Sequence, residues 1–288
     1  PLAAGNADWD GLMRGVFTAR GHSFPLTRPY IMGILNITPD SFSDGGRYLD
    51  PAAALTRAME MEAEGADVLD IGGQSTRPGY TPISQEEEWA RLEAVLPAIL
   101  EKTHVPLSID TFYPWVAKKA LALGAHIIND VSGFPEEMLR AVADSGCGCV
   151  VMCPTGGVPD ILAHVKGFFL ERLRAAERLG VPKERLCFDP GVGFGKTYEE
   201  NLSLIAQVGK TRVPGAACLM AASRKLVTGQ PCGSPPFEKR LPATLAAHTA
   251  ALLGGADFIR VHDVAPSLQA AQMAAALRGA WEGREPGR

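Results

Sequence analysis

Long apolar runs are missing from this chain; none approaches the ~20 residues a helix needs to cross a bilayer. The first segment, Pro1 to Gly21, also lacks the basic flank and apolar stretch of a secretion signal, so a cytosolic protein is expected. Positive charge is not in excess. The formal net charge is −4, which gives no basic footprint for nucleic acid. Cysteine is scarce, with six in 288 residues. Cys147, Cys149 and Cys153 would share one face of a strand, but no C-x-x-C pair or neighbouring histidine marks a metal site there. Buried, reduced thiols are expected instead. A charged fraction of 21% beside 46% hydrophobic residues is an ordinary globular balance rather than a disordered one.

What the chain does have is alternation. Short apolar runs occur at 30–35, 67–71, 105–109, 125–128, 147–152, 185–188, 216–221 and 256–261. Each has the length of a strand and the nearly continuous apolarity of one covered on both faces. Helical stretches are expected between them at 51–64, 85–102, 114–123, 136–144, 161–179, 199–208, 242–253 and 266–277. The junctions Gly65-Ala66-Asp67, Gly124-Ala125-His126 and Gly255-Ala256-Asp257 each close a helical stretch and open a strand, glycine suiting the left-handed residue at a helix end. Eight such units predict a single (β/α)8 barrel, with an open doubly wound sheet as the main rival. The barrel is expected over 29–279, after an extension at 1–28 of unclear role and before a tail at 280–288.

Polar residues gather just after the strands: Asn36, the 72–79 loop, Asp110, Asn129-Asp130, Asp189, Ser223-Arg224-Lys225 and Arg260-Val261-His262. In a barrel these ends meet at one mouth, where active sites lie. Singly, each has a bland alternative. Asp110 could cap the next helix, Asn129-Asp130 and Asp189-Pro190-Gly191 are ordinary turn formers, and His262 could be a helix cap or a satisfied surface histidine. Together, two carboxylates and an amide suit a flat heterocycle with an amidine-like edge. Arg77, Lys225, Arg260 and His262 would repel one another at one mouth, and a bound anion such as diphosphate would relieve that. The 191–197 run falls out of register for a P-loop and is read as a flexible loop that lays Phe194 against a ligand. Glu86-Glu87-Glu88 is read as the acidic first turn of a helix, without chemistry.

Two long segments, Met32–Gly46 and Asp70–Gly79, together with Ser108–Thr111, Ile128–Val131, Asp189–Lys196, Ser223–Lys225 and Arg260–Asp263, resemble the dihydropteroate synthases, in that family's order. The resemblance implies a (β/α)8 fold that condenses 6-hydroxymethyl-7,8-dihydropterin pyrophosphate with p-aminobenzoate. It implies that Asp110, Asn129, Asp189 and Lys225 hold the pterin and that Arg260 covers its face. Arg260, His262 and Asn36 would line the diphosphate site, Asn36 also contacting Mg²⁺. Thr76 and Arg77, with Asp44 from the first loop, would close over the leaving group. Phe42, Thr76, Pro78 and the Lys225 region would shape the p-aminobenzoate pocket that sulfonamides occupy in this family. A homodimer is implied too. The chain departs from the pattern at Cys153, where many members have histidine, at Ala221-Ala222 and at Leu226, where a serine is common. A pterin-dependent methyltransferase and a silent folate-binding homologue are the alternatives; diphosphate release separates all three.

Overall fold

The computed structural model describes residues 15–38, 50–74 and 81–281. Two short strands, β1 (Val16–Ala19) and β2 (His22–Pro25), form an antiparallel hairpin. Eight parallel strands follow: β3 (Tyr30–Asn36), β4 (Val68–Gly72), β5 (Leu107–Asp110), β6 (Ile127–Asp130), β7 (Gly148–Met152), β8 (Leu186–Asp189), β9 (Ala217–Met220) and β10 (Phe258–Val261). They pair in sequence order, and β10 closes on β3. The expected barrel is thus the observed one, and the open-sheet rival is excluded.

The helices are α1 (Pro51–Ala63), α2 (Gln85–Glu93), α3 (Leu96–Lys102), α4 (Pro114–Leu123), α5 (Glu136–Val142), α6 (Ile161–Arg178), α7 (Tyr198–Ala206), α8 (Leu226–Gly229), α9 (Leu241–Leu253) and α10 (Val264–Trp281). The helix expected over 85–102 is two helices. Pro97 lies in the first turn of α3, where its missing N–H is tolerated; inside one continuous helix its ring would clash with the preceding turn. No helix among the described residues is long and apolar enough to cross a membrane.

The Gly-Ala-X junctions do more than end helices. Gly65, Gly124 and Gly255 have φ of +99°, +121° and +104°, as the sequence implies. The third residue then caps a neighbouring strand: Asp67 accepts the Ile31 N–H at 2.8 Å, His126 Nδ1 the Leu107 N–H at 3.1 Å, and Asp257 the Cys218 N–H at 2.8 Å. Each side chain satisfies a backbone donor at the barrel's lower rim.

Along the strands, alternate residues point inward, and the inward set changes character with height. Tyr30, Met32, Val68, Ile127, Val150, Cys187, Ala217, Leu219 and Phe258 form an apolar core inside the barrel together with the hairpin residues Phe17, Ala19, Phe24 and Leu26. Further along the same faces come Asp70, Asp110, Asn129, Asp189 and Arg260. The outward set, including Cys147, Cys149 and Cys153, packs under the helices in a second core.

The hairpin closes the bottom. Phe17 sits 5.9 Å from Phe24 and 5.7 Å from Phe258 between ring centroids, and Tyr30 stacks on Phe258 at 4.9 Å. A Cβ at Gly148 would fall 2.5 Å from the Phe17 ring, so only glycine lets this plug seat. Arg20 ties the hairpin turn to the carbonyls of Leu121 and Ala125 at 2.6 and 2.9 Å.

Candidate active site

Above the plug lies a cavity of about 530 Å³, the size of a small-molecule site. Asn36, Asp110, Asn129, Asp189, Phe194, Lys225, Arg260 and His262 line it, with Met152, Ser223 and Leu226. Positions as far apart in the chain as 36 and 262 therefore converge at the mouth. Phe42, Asp44, Thr76, Arg77 and Pro78 lie outside the described residues.

The inner wall is an acid–base network. Arg260 donates through Nε to Asp70 at 2.5 Å and through Nη2 to Asp110 at 2.8 Å. Asn129 Nδ2 donates to the same Asp70 oxygen at 3.0 Å. Asp70, fully buried on β4, thus orients both an arginine and an amide. The other oxygens, Asp70 Oδ1 and Asp110 Oδ1, are buried and accept no hydrogen bond among the described residues. A buried carboxylate oxygen without a donor is costly, so a ligand N–H at Asp110 would be strongly favoured.

Several bland readings can now be decided. Asp110 does not cap α4: that position belongs to Tyr113, with no side-chain cap. Asp130 is a turn former, its two oxygens accepting the Ser132 and Phe134 N–H groups at 2.7 and 3.1 Å. Asp189 Oδ1 accepts the Gly191 N–H at 2.8 Å, and the same side chain lines the cavity. In the 191–197 run, Lys196 donates to the Cys153 and Phe194 carbonyls and Thr197 caps α7 in a capping box with Glu200; their work is structural.

The anticipated cluster of uncompensated positive charge needs correction. Arg260 is held between two carboxylates, so it brings no net repulsion to the mouth. Lys225 donates to the Val192 carbonyl and lies 4.7 Å from the Phe194 ring centroid. Burial pushes its ammonium down to about 8, with Asp189 partly opposing. Burial likewise raises Asp110 to about 7 against the pull of Arg260, and raises Asp189 against Lys225. Desolvation dominates at each, because the groups are buried around the floor of the cavity at the upper end of the barrel.

Glu88 adds to the sequence reading. Glu86, Glu87 and Glu88 all occupy the first turn of α2 as expected, and Glu88 is in addition fully buried. It accepts from Gln74 Nε2, and burial raises its carboxyl. The three departures fall unequally. Cys153 points outward into the helix-side core, away from the cavity. Ala221 and Leu226 line it, and Leu226 is 64% exposed.

The fold and this network define a pterin-binding enzyme, and the family model described as "Pterin binding enzyme" matches residues 32–262. Dihydropteroate synthase from Escherichia coli is 38% identical over 276 residues, covering 92% of this chain and 98% of that one. The solved structure of Xanthomonas albilineans dihydropteroate synthase with 4-aminobenzoic acid is 41% identical, with a TM-score of 0.86 over 92% of this chain and 98% of that chain. The Burkholderia cenocepacia enzyme complexed with 7,8-dihydropteroate is 37% identical, with a TM-score of 0.86 over 94% of this chain and 99% of that chain. This chain belongs to the dihydropteroate synthase family.

Proposed function

We propose that the chain joins the exocyclic methylene of 6-hydroxymethyl-7,8-dihydropterin pyrophosphate to the amine of p-aminobenzoate. The C–O bond to diphosphate breaks, the C–N bond forms, and the arylamine loses a proton. The observation that carries this reading is the buried, undonated Asp110 oxygen in a polar ring at the cavity floor. An amidine-like pterin edge would supply the missing donors. The relatives with bound 4-aminobenzoic acid and 7,8-dihydropteroate support the same pair of substrate and product.

In this reading Asp110, Asn129, Asp189 and Lys225 hold the heterocycle, and Arg260, fixed by Asp70, covers its face. Phe194 closes one side. Arg260 and His262, with Asn36, receive the departing anion, and a closed site keeps water from competing with the amine. Phe42, Asp44, Thr76, Arg77 and Pro78 complete the mouth by family resemblance.

Asn36 offers one neutral oxygen ligand at a strand end, and no group of three or more His, Cys, Asp or Glu suited to a metal occurs among the described residues. That donor set fits a magnesium ion that keeps several waters and takes its other oxygens from substrate. When bound, the ion would supply charge balance for the leaving diphosphate. A homodimer and a cytosolic setting complete the proposal. Exposed Leu202, Met273 and Trp281 on α7 and α10 offer apolar surface for the first, and five buried free thiols suit the second.

Diphosphate release on adding both substrates tests the reaction directly; a native chain that releases none sinks it.

A further inference from the structure

The backbones of β9 and β10 pair only through Phe258–Leu219 and Ile259–Met220. Beyond that point two side-chain rungs join the segments. Arg224 donates through Nε and Nη2 to Asp263 at 2.8 and 2.6 Å. One residue earlier on each side, Ser223 Oγ lies 2.9 Å from His262 Nδ1. The same Oγ accepts the His262 backbone N–H at 3.2 Å. Arg224 adopts a positive φ of 54° in this clasp, a conformation that a non-glycine residue holds only when its surroundings enforce it.

The Ser223 hydroxyl has one proton, and it is almost fully buried. Its bond from the His262 N–H uses it as an acceptor, and its other partner among the described residues is Nδ1. If Nδ1 carried the ring proton, Oγ would face two N–H donors and its own proton would be left without an acceptor, which is costly when buried. The reverse arrangement satisfies both the hydroxyl and Nδ1. The Phe237 ring meets the imidazole edge-to-face, 5.3 Å between centroids, and restrains its tilt.

We propose that Ser223 is a positioning residue for His262, donating to Nδ1 and so holding the imidazole in the tautomer whose proton is on Nε2. The second nitrogen is then a fixed donor at the cavity wall, suited to an oxygen of the departing anion. The Arg224–Asp263 rung keeps Ser223 within reach. This role deepens the proposed reaction and rests on it for its purpose, though not for its geometry.

The test separates the two. Nitrogen NMR of the full-length chain labelled at histidine, without substrates, reads the His262 tautomer directly. The expected result is an unprotonated, hydrogen-bonded Nδ1 and a protonated Nε2; a ring protonated at Nδ1 overturns the proposal. In Ser223→Ala the tautomer signal broadens or shifts. Its kcat for diphosphate release falls by roughly tenfold to a hundredfold, with the KM for p-aminobenzoate unchanged, and Ser223→Thr restores it. A Ser223→Ala enzyme with native kcat, or with the native tautomer signal, also overturns the proposal. A native chain with the expected tautomer but no diphosphate release would reject the reaction and leave the tautomer assignment standing.

Discussion

Asp67 immediately precedes β4 and Asp70 lies in its middle, yet the two share almost nothing in circumstance. Asp67, at the lower rim, has both oxygens engaged, one by the Ile31 N–H and one by Arg28 at 2.6 Å. Asp70, inside the barrel above it, is fully buried, shares one oxygen between Arg260 and Asn129, and leaves the other without a donor. The lower end is aromatic, and its Asp67 is fully engaged; the upper end is polar, and its Asp70 and Asp110 are each left with one oxygen undonated. Stability is concentrated at the first and recognition at the second. An active site keeps unsatisfied groups where a ligand will complete them, and the rest of the fold has to carry that cost.

The largest expected effect is at the lower end. Phe17→Ala empties a fully buried ring position in the plug and should cost about 3–5 kcal/mol, seen as a drop of roughly 6–15 °C in Tm. Calorimetry should find pterin affinity in the folded fraction unchanged. Weakened pterin binding at full occupancy of the fold would show that the two ends are coupled, and the contrast would fail.

Next in size is the upper end. Asp189→Ala removes a carboxylate from the ring and leaves Lys225 without its counter-charge, about 2–3 kcal/mol in ligand binding, or roughly a hundredfold in the Kd for the pterin substrate. The Tm should move far less than for Phe17→Ala. Titration with the pterin pyrophosphate, with and without Mg²⁺, checks this, and native affinity in the variant would remove the centre of the site assignment.

Protonation gives a third contrast, because the ends respond to acid with opposite sign. His126, in the lower rim against His22 at 4.7 Å, has its imidazole lowered to about 4, chiefly by burial. Between that value and the ordinary range near 6.5 the unfolded chain binds the extra proton, so stability is lost as pH falls through this window. Asp110 is raised to about 7; from the ordinary carboxylate range up to that value the folded chain binds the extra proton, so this group makes stability fall as pH rises. His126→Asn should therefore flatten the acid loss of Tm between pH 6.5 and 4, whereas Asp110→Asn should steepen it. Equal slopes in both variants would refute the assignment. For ligand binding the relevant groups are Asp110 and Lys225, the latter lowered to about 8. Pterin affinity should be greatest between about pH 7 and 8, where the carboxylate and the ammonium coexist.

The same contrast marks what could be read in advance. Strands covered on both faces announce themselves as continuous apolar runs, and the Gly-Ala-X junctions fixed where helices end, so the barrel was legible. So were Asp110, Asn129, Asp189, Lys225, Arg260 and His262 as residues of one mouth, because they follow strands. Asp70 was not singled out, since it lies within a run read as strand. Period-two alternation held the signal: Val68, Asp70 and Gly72 share a face, and Gly72 pairs with Asp110. The burial of Glu88 was hidden by its place in an acidic first turn with Glu86 and Glu87, which are exposed; only its helical spacing to Leu92, which is also buried, pointed inward. The plug was hidden for another reason. Strands of four residues carry little periodicity, and what makes Phe17 matter is a glycine at position 148, far along the chain.

The smallest expected effect lies at the rim, between the two regimes. Leu226 opens α8, lines the cavity and is 64% exposed, so it contributes little to the fold. If this edge meets p-aminobenzoate, a leucine there withholds a hydrogen bond that a hydroxyl would give. One neutral hydrogen bond contributes about 0.5–1.5 kcal/mol, or roughly two- to tenfold in affinity. Leu226→Ser should therefore tighten sulfonamide inhibition by that factor, while Tm stays within the range of a surface substitution. Side-by-side inhibition curves for the native chain and the variant decide it. Coincident curves would mean that the rim at this position contacts solvent alone, and that selectivity is set deeper, by residues whose partners are already fixed.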